Sequence, residues 1–372
     1  RYLILMKKTL FISLCLFSAL YGCGPKDNTV SYNEEAGLTV CHYSNVKDTV
    51  DIKLSDLAED FRIIKFDNSS EAIFNYRSTP TITEHYIGIA GSRRPYMLFN
   101  TDGKFLCNLG KIGQGPGEYP MTIYDSAIDE QEQRIYLGSF GFLNKIIVYD
   151  LKGKFLEDRQ IDYELNKPKF ELGEDKSLSI VHLPMQTSEE SPLVSQYSKE
   201  GKLIAQLEEA PYLKVKNFNQ DVFAYHNVPD LSFHITSVDT LYHYIKSENR
   251  IVPKFTLDFG IMEDKPIHIY NEIPGYYIAI VFGKGNIFVD KEKQQARYVR
   301  LVNDYCGGMK VMLNFKDGWV WRIFEPGYLI EYIQDRMNDS DCTEEDRKKL
   351  QSLLDTIDED DNNIMFLGKL KK

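Results

Sequence analysis

The stretch "NLGKIGQGPGEYP", residues 108–120, holds the residue types closest to a reactive loop: Gly113, Gly115 and Gly117 surround Pro116 and lead into Glu118 and Tyr119. A dinucleotide loop requires G-x-G-x-x-G at a strand-to-helix turn, so that the helix N-terminus meets the pyrophosphate. Here the third glycine comes one residue early, Pro116 and Pro120 interrupt, and a strand-like region follows. No Gly-Lys-Ser/Thr is present, which removes the P-loop reading as well. What remains is a sharp corner that sets Glu118 and Tyr119 at one surface, either to bond the turn or to meet a ligand.

Other reactive signatures are missing. The chain has no G-x-S-x-G nucleophile elbow and no H-E-x-x-H zinc helix. Its seven histidines, His42, His85, His182, His226, His234, His243 and His268, are dispersed, and only His226 and His234, flanking "NVPDLSF", approach a metal-ligand spacing. Trp319 and Trp321 alternate with Val320, so both rings face one side of a strand. That side is either core or an aromatic platform on which a sugar could stack.

The ends bound the location. Two lysines precede an apolar run from Leu10 to Leu20 that closes in small residues, the order of a secretory signal. The last residues, Leu20-Tyr21-Gly22-Cys23, resemble a bacterial lipobox, which makes Cys23 the expected lipid attachment site and gives the chain a membrane anchor. Residues 1–5 read as an upstream extension before Met6, residues 1–22 as the signal peptide, and the polar segment 23–50 as a lipidated flexible tether. The net charge is −11, and loss of Arg1, Lys7 and Lys8 with the signal leaves −14, which argues against a nucleic-acid partner. Cys41, Cys107, Cys306 and Cys342 then remain, widely spaced, with one or two disulfides allowed but no pairing specified.

The elements that must position these residues are strands in a repeat. "FNTDGKFLCNLG", "YDLKGKFLEDRQ" and "YSKEGKLIAQLE" share an aromatic start, a polar turn ending in Gly-Lys and alternating apolar residues, with turn glycines Gly103, Gly153 and Gly201 at intervals of 50 and 48 residues. Two further turns fall near Glu248 and Lys293. No convincing amphipathic helix separates the strands before Trp321, so the modules are antiparallel, and the period is that of a propeller. Five blades are visible, and a sixth follows if "FRIIKFD" and "NNIMFLGKLKK" supply strands from the two ends, closing the ring and removing its edges. Leu350, Leu353, Leu354 and Ile357 at helical spacing, after Thr343 and three acids, predict a helical insertion within residues 327–357. The expected fold is therefore all-β, a six-bladed β-propeller over residues 51–372 with a short helical insertion near the C-terminus.

The string "GKIGQGPGEY", the hairpins "NTDGKF" and "YDLKGKF", and the terminal "DNNIMFLGKLK" resemble the six-bladed β-propeller lipoproteins of Bacteroidetes. The resemblance implies the fold and an envelope location, lipid-anchored at the outer membrane, and transfers no catalytic residue. The function it leaves is a binding or scaffolding module for an extracellular glycan, peptide or protein, without a cofactor. The alternative is a metal-dependent propeller hydrolase or lactonase, in which acids and amides such as Glu118, Asp125, Asn144, Asp230 and Asp304 would converge on an axial calcium ion.

Overall fold

The computed structural model describes residues 28–139, 143–185, 191–208, 211–216 and 219–372; the signal segment and Cys23 lie outside the described residues. Six sheets, each with a four-stranded antiparallel blade, stand around a central channel as a propeller. Blade one is Pro80–Ile82, Tyr86–Ile89, Tyr96–Asn100 and Phe105–Leu109, and blade two is Ile123–Asp129, Arg134–Ser139, Leu143–Asp150 and Phe155–Leu165. Blade three is Lys169–Leu172, Leu178–Val181, Val194–Tyr197 and Leu203–Leu207, and blade four begins with Val222–Ala224, Leu231–Ile235, Leu241–Ile245 and Arg250–Asp258. Blade five is built on His268–Ile273, Tyr276–Val281, Gly285–Asp290 and Gln295–Val302.

Blade six takes Asn314–Lys316, Trp319–Phe324 and Ile364–Leu370 from the C-terminal end and Ala58–Lys65 from the N-terminal end, the closure expected from the sequence. The turn glycines Gly103, Gly153 and Gly201 have φ of 86°, 82° and 83°, values that only glycine adopts without strain.

The core is divided among the gaps between blades. Along Tyr96–Asn100, Tyr96 and Leu98 pack toward blade two with Ile135 and Tyr149, whereas Met97 and Phe99 pack toward blade six with Trp321 and Leu367. Ile146 and Val148 likewise face blade three while Ile147 faces blade one. Strands buried on both faces read as continuous apolar runs, which is why "KIIVYD" carries so little polar alternation.

The N-terminal segment corrects one expectation. Instead of a flexible tether up to residue 50, Val30–Asn33 pairs with Leu38–His42, which runs parallel to the outer strand of blade four, and Thr49–Lys53 runs parallel to the outer strand of blade five. Those outer strands would otherwise present unpaired backbone groups, and the segment satisfies them. The C-terminal insertion forms two helices, Pro326–Asn338 and Glu344–Leu354, the second begun by a Thr343–Asp346 capping box. Leu350 and Leu353 pack with Leu329, Ile333 and Phe324, so the predicted apolar stripe lies on the ring.

Candidate functional site

The corner at residues 108–120 crosses from the outer strand of blade one to the inner strand of blade two. Gly117, at φ 72°, is where the chain turns, and a Cβ there would lie 2.6 Å from the Phe155 ring. Gly113 and Gly115 serve differently: they leave room for the Glu118 carboxylate, which a Cβ on Gly113 would meet at 2.0 Å. Glu118 accepts from the Gly115 amide at 2.9 Å and pairs with Lys111 at 3.0 Å, contacts that lower its pKa in that order. Tyr119 is fully buried; its hydroxyl donates to the Leu109 carbonyl at 2.8 Å and accepts from the Tyr96 amide at 2.7 Å. In this geometry both side chains hold the corner. Tyr119→Phe is expected to cost about 1–3 kcal/mol by stranding buried backbone groups, measured by urea denaturation.

Trp319 and Trp321 do share a face, but both are buried in the core between blades six and one, with Arg62 and Lys369 over the Trp319 ring. The rings are taken up by core packing, with the Trp321 Nε1 lacking a partner among the described residues and only Trp319 bordering the smaller channel cavity described below. The acids and amides expected around an axial ion are scattered. Asn144 is exposed on blade two, Asp304 accepts from Ser55 near the rim, and Asp230 bonds His243. Among the described residues no group of three or more His, Cys, Asp or Glu is placed to hold a metal. His234 bonds the Val238 carbonyl in blade four, apart from His226, and the four described cysteines are thiols.

Asp125 is the exception, because it reaches the channel. The inner strands converge there on two cavities of about 550 Å³ and about 480 Å³, with Thr81 and Ser126 lining both. The larger opens where each inner strand begins, at the end of the ring that carries the blade-to-blade crossings. The smaller opens at the opposite, hairpin end. Between them Lys316 donates to Asp125 at 3.0 Å, and the Asp317 amide donates to the Tyr225 carbonyl at 2.7 Å. Burial opposes the Asp125 charge, but Lys316, Lys169 and the Phe170 amide outweigh it and hold its pKa below the usual range. Burial also opposes the Lys316 charge, and Asp125 and Asp317 overcome it, raising the Lys316 pKa.

The larger cavity is lined by Arg77, Tyr124, Lys169, Asp221, Phe223 and Tyr225, contributed by four segments far apart in sequence. The Phe223 and Tyr225 rings are parallel within 10° at 6.1 Å, and the Lys169 ammonium lies 4.5 Å from the centre of the Tyr124 ring. Tyr124 donates to Asp221 at 2.5 Å. Asp125, which also lines this cavity, is the one of its residues that the sequence singles out; Tyr124, Lys169 and the group Asp221, Phe223 and Tyr225 carry no motif, since they come from three different blades.

At the hairpin end, His226 and Asp317 both adopt left-handed backbone, φ 53° and 56°. Among the described residues neither His226 ring nitrogen has a hydrogen-bond partner, and burial pushes its pKa down to about 4. Burial raises Asp317 to about 6, against the partial opposition of Lys316. A carboxyl raised in the folded state adds stability that is complete below its unfolded value and lost as pH rises through about 6. Asp317→Asn, an amide that tolerates the same backbone, should therefore raise stability at pH 7 by about 1–3 kcal/mol and change little at pH 4 in parallel denaturant titrations.

No curated protein matches the sequence. Among solved structures, a Bacteroides fragilis protein described as exported aligns with 16% identity and a TM-score of 0.58, over 87% of this chain and 100% of that one, which shows the shared fold. An auxiliary nutrient binding protein from Bacteroides thetaiotaomicron aligns with 12% identity and a TM-score of 0.32, over 57% of this chain and 55% of that one. Residues 38–369 match the family described as a domain of unknown function, DUF4934, and the chain belongs to that family.

Proposed function

We propose that this propeller is the binding module of a cell-envelope lipoprotein, anchored through Cys23 at the outer membrane, and that its ligand enters the larger channel cavity. The observation that carries the reading is the composition of that cavity: aromatic rings, a lysine and phenol hydroxyls from several blades converge on one open space of about 550 Å³. A concave site with apolar walls and a few polar groups is the common form of a small-ligand site. A glycan or peptide segment fits such a mouth, and the acidic exterior keeps nucleic acid away.

Two measurements test the two halves of the proposal. Cys23→Ala should move the protein from the membrane fraction to the soluble fraction, and a variant that stays membrane-bound refutes the anchor. Glycan and peptide arrays probed with the detergent-solubilised protein should give hits that Tyr124→Ala weakens at least tenfold. Hits indifferent to that change would place binding elsewhere and refute the cavity.

A further inference from the structure

We infer that the larger cavity selects ligands bearing a carboxylate, with Lys169 as the group that reads it; the inference rests on the cavity being the binding site. The argument begins with hydrogen-bond supply. A lysine ammonium has three donors and is rarely taken out of water without acceptors. Lys169 is half-buried in the cavity wall, and among the described residues its Nζ has no acceptor within hydrogen-bonding distance, only the face of Tyr124.

Its neighbours do not supply one in this geometry; their oxygens take other donors instead. Asp125 accepts from Lys316 at 3.0 Å on one oxygen and from the Phe170 amide at 2.8 Å on the other. Asp221 accepts from the Val222 amide at 2.8 Å and from the Tyr124 hydroxyl at 2.5 Å, with Lys167 at 3.9 Å. Burial and the nearby Lys316 and Lys167 charges work against the Lys169 ammonium, and its pKa is lowered despite both aspartates. An entering anion would give Lys169 the acceptor it lacks, in a charge-assisted hydrogen bond.

Shape narrows the anion. The parallel Phe223 and Tyr225 rings border the same cavity, so a ligand with a ring or apolar face beside its charged group satisfies both. Arg77 at the rim, stacked on Tyr76 at 5.4 Å, adds a second positive group on the approach. A planar carboxylate attached to a sugar ring or to a terminal peptide residue has this form, and the two sources share the chemistry that Lys169 would recognise.

The test is calorimetric titration of the full protein with four probes: a trigalacturonate, its methyl ester, a short peptide with a free C-terminus, and the same peptide amidated. At least one acid probe is expected to bind ten- to a hundredfold tighter than its neutral partner. Lys169→Met, similar in volume and shape, should abolish that preference while leaving the melting temperature equal or higher. Which acid binds identifies the source. Equal binding of acid and neutral probes that Tyr124→Ala still weakens would overturn the carboxylate inference and leave the cavity as the binding site. Binding of no probe, or a fall in melting temperature on Lys169→Met without loss of a charge preference, would make Lys169 a structural residue and overturn it equally.

Discussion

Deleting residues 364–372 should abolish the cooperative unfolding transition, not merely lower its midpoint. Ile364–Leu370 pairs on one side with Trp319–Phe324 and on the other with Ala58–Lys65, so its loss opens two sheet edges and breaks the ring. It also removes residues from two cores at once, since Ile364 and Phe366 face blade five while Met365 and Leu367 face blade one. A milder version isolates the packing term. Phe366 is 1% exposed and meets the Phe324 ring at 4.9 Å and the Phe61 ring at 5.6 Å. Phe366→Ala should cost about 3–5 kcal/mol, read from urea denaturation. A truncated chain that keeps the full-length transition would show that the closing strand is dispensable.

Lys316→Met should destabilise by about 3–5 kcal/mol at pH 7, because it leaves the Asp125 carboxylate buried without its ion-pair partner. The pH dependence carries the diagnosis. In the native protein Asp125 has a lowered pKa, so its contribution is present above the unfolded value of about 3.9 and is lost as pH falls through the folded one. Without Lys316 the carboxyl is easier to protonate, and the variant's deficit should shrink as pH falls from 7 to 4.5. The double variant Lys316→Met/Asp125→Leu should recover most of the loss, since an apolar pair in place of a buried ion pair is often neutral. Denaturant titrations at both pH values check this, and a pH-independent deficit would place the cost in packing.

Much of the ring was legible because its signals are local. Turns at Gly103, Gly153 and Gly201 announce themselves through a residue that positive φ requires, and the apolar runs through burial on both faces. The strands Val30–Asn33, Leu38–His42 and Thr49–Lys53 were illegible for the opposite reason: Thr49–Lys53 is mostly exposed, and edge pairing to a distant strand leaves little mark on hydropathy. The corner glycines were recognised as turn formers, but the space that Gly113 leaves for Glu118 is a tertiary matter. Lys169, Tyr124 and Phe223 were missed because one residue per blade, dozens of positions apart, makes no motif. Trp319 and Trp321 show the converse: spacing predicted a shared face, and only packing could say that the face was core.

The strap formed by residues 30–65 touches blades four, five and six in turn, and its partners lie far along the chain. A chain growing from its N-terminus must therefore leave the outer edges of these segments without their blade partners until residues 250–302 and then 364–370 have emerged. Such long-range pairing is slow, and exposed strand edges invite association in the meantime. The ring should thus close late, in the step that sets Ile364–Leu370 beside Ala58–Lys65, so that this long-range pairing, not the folding of any one blade, commits the protein to its native state.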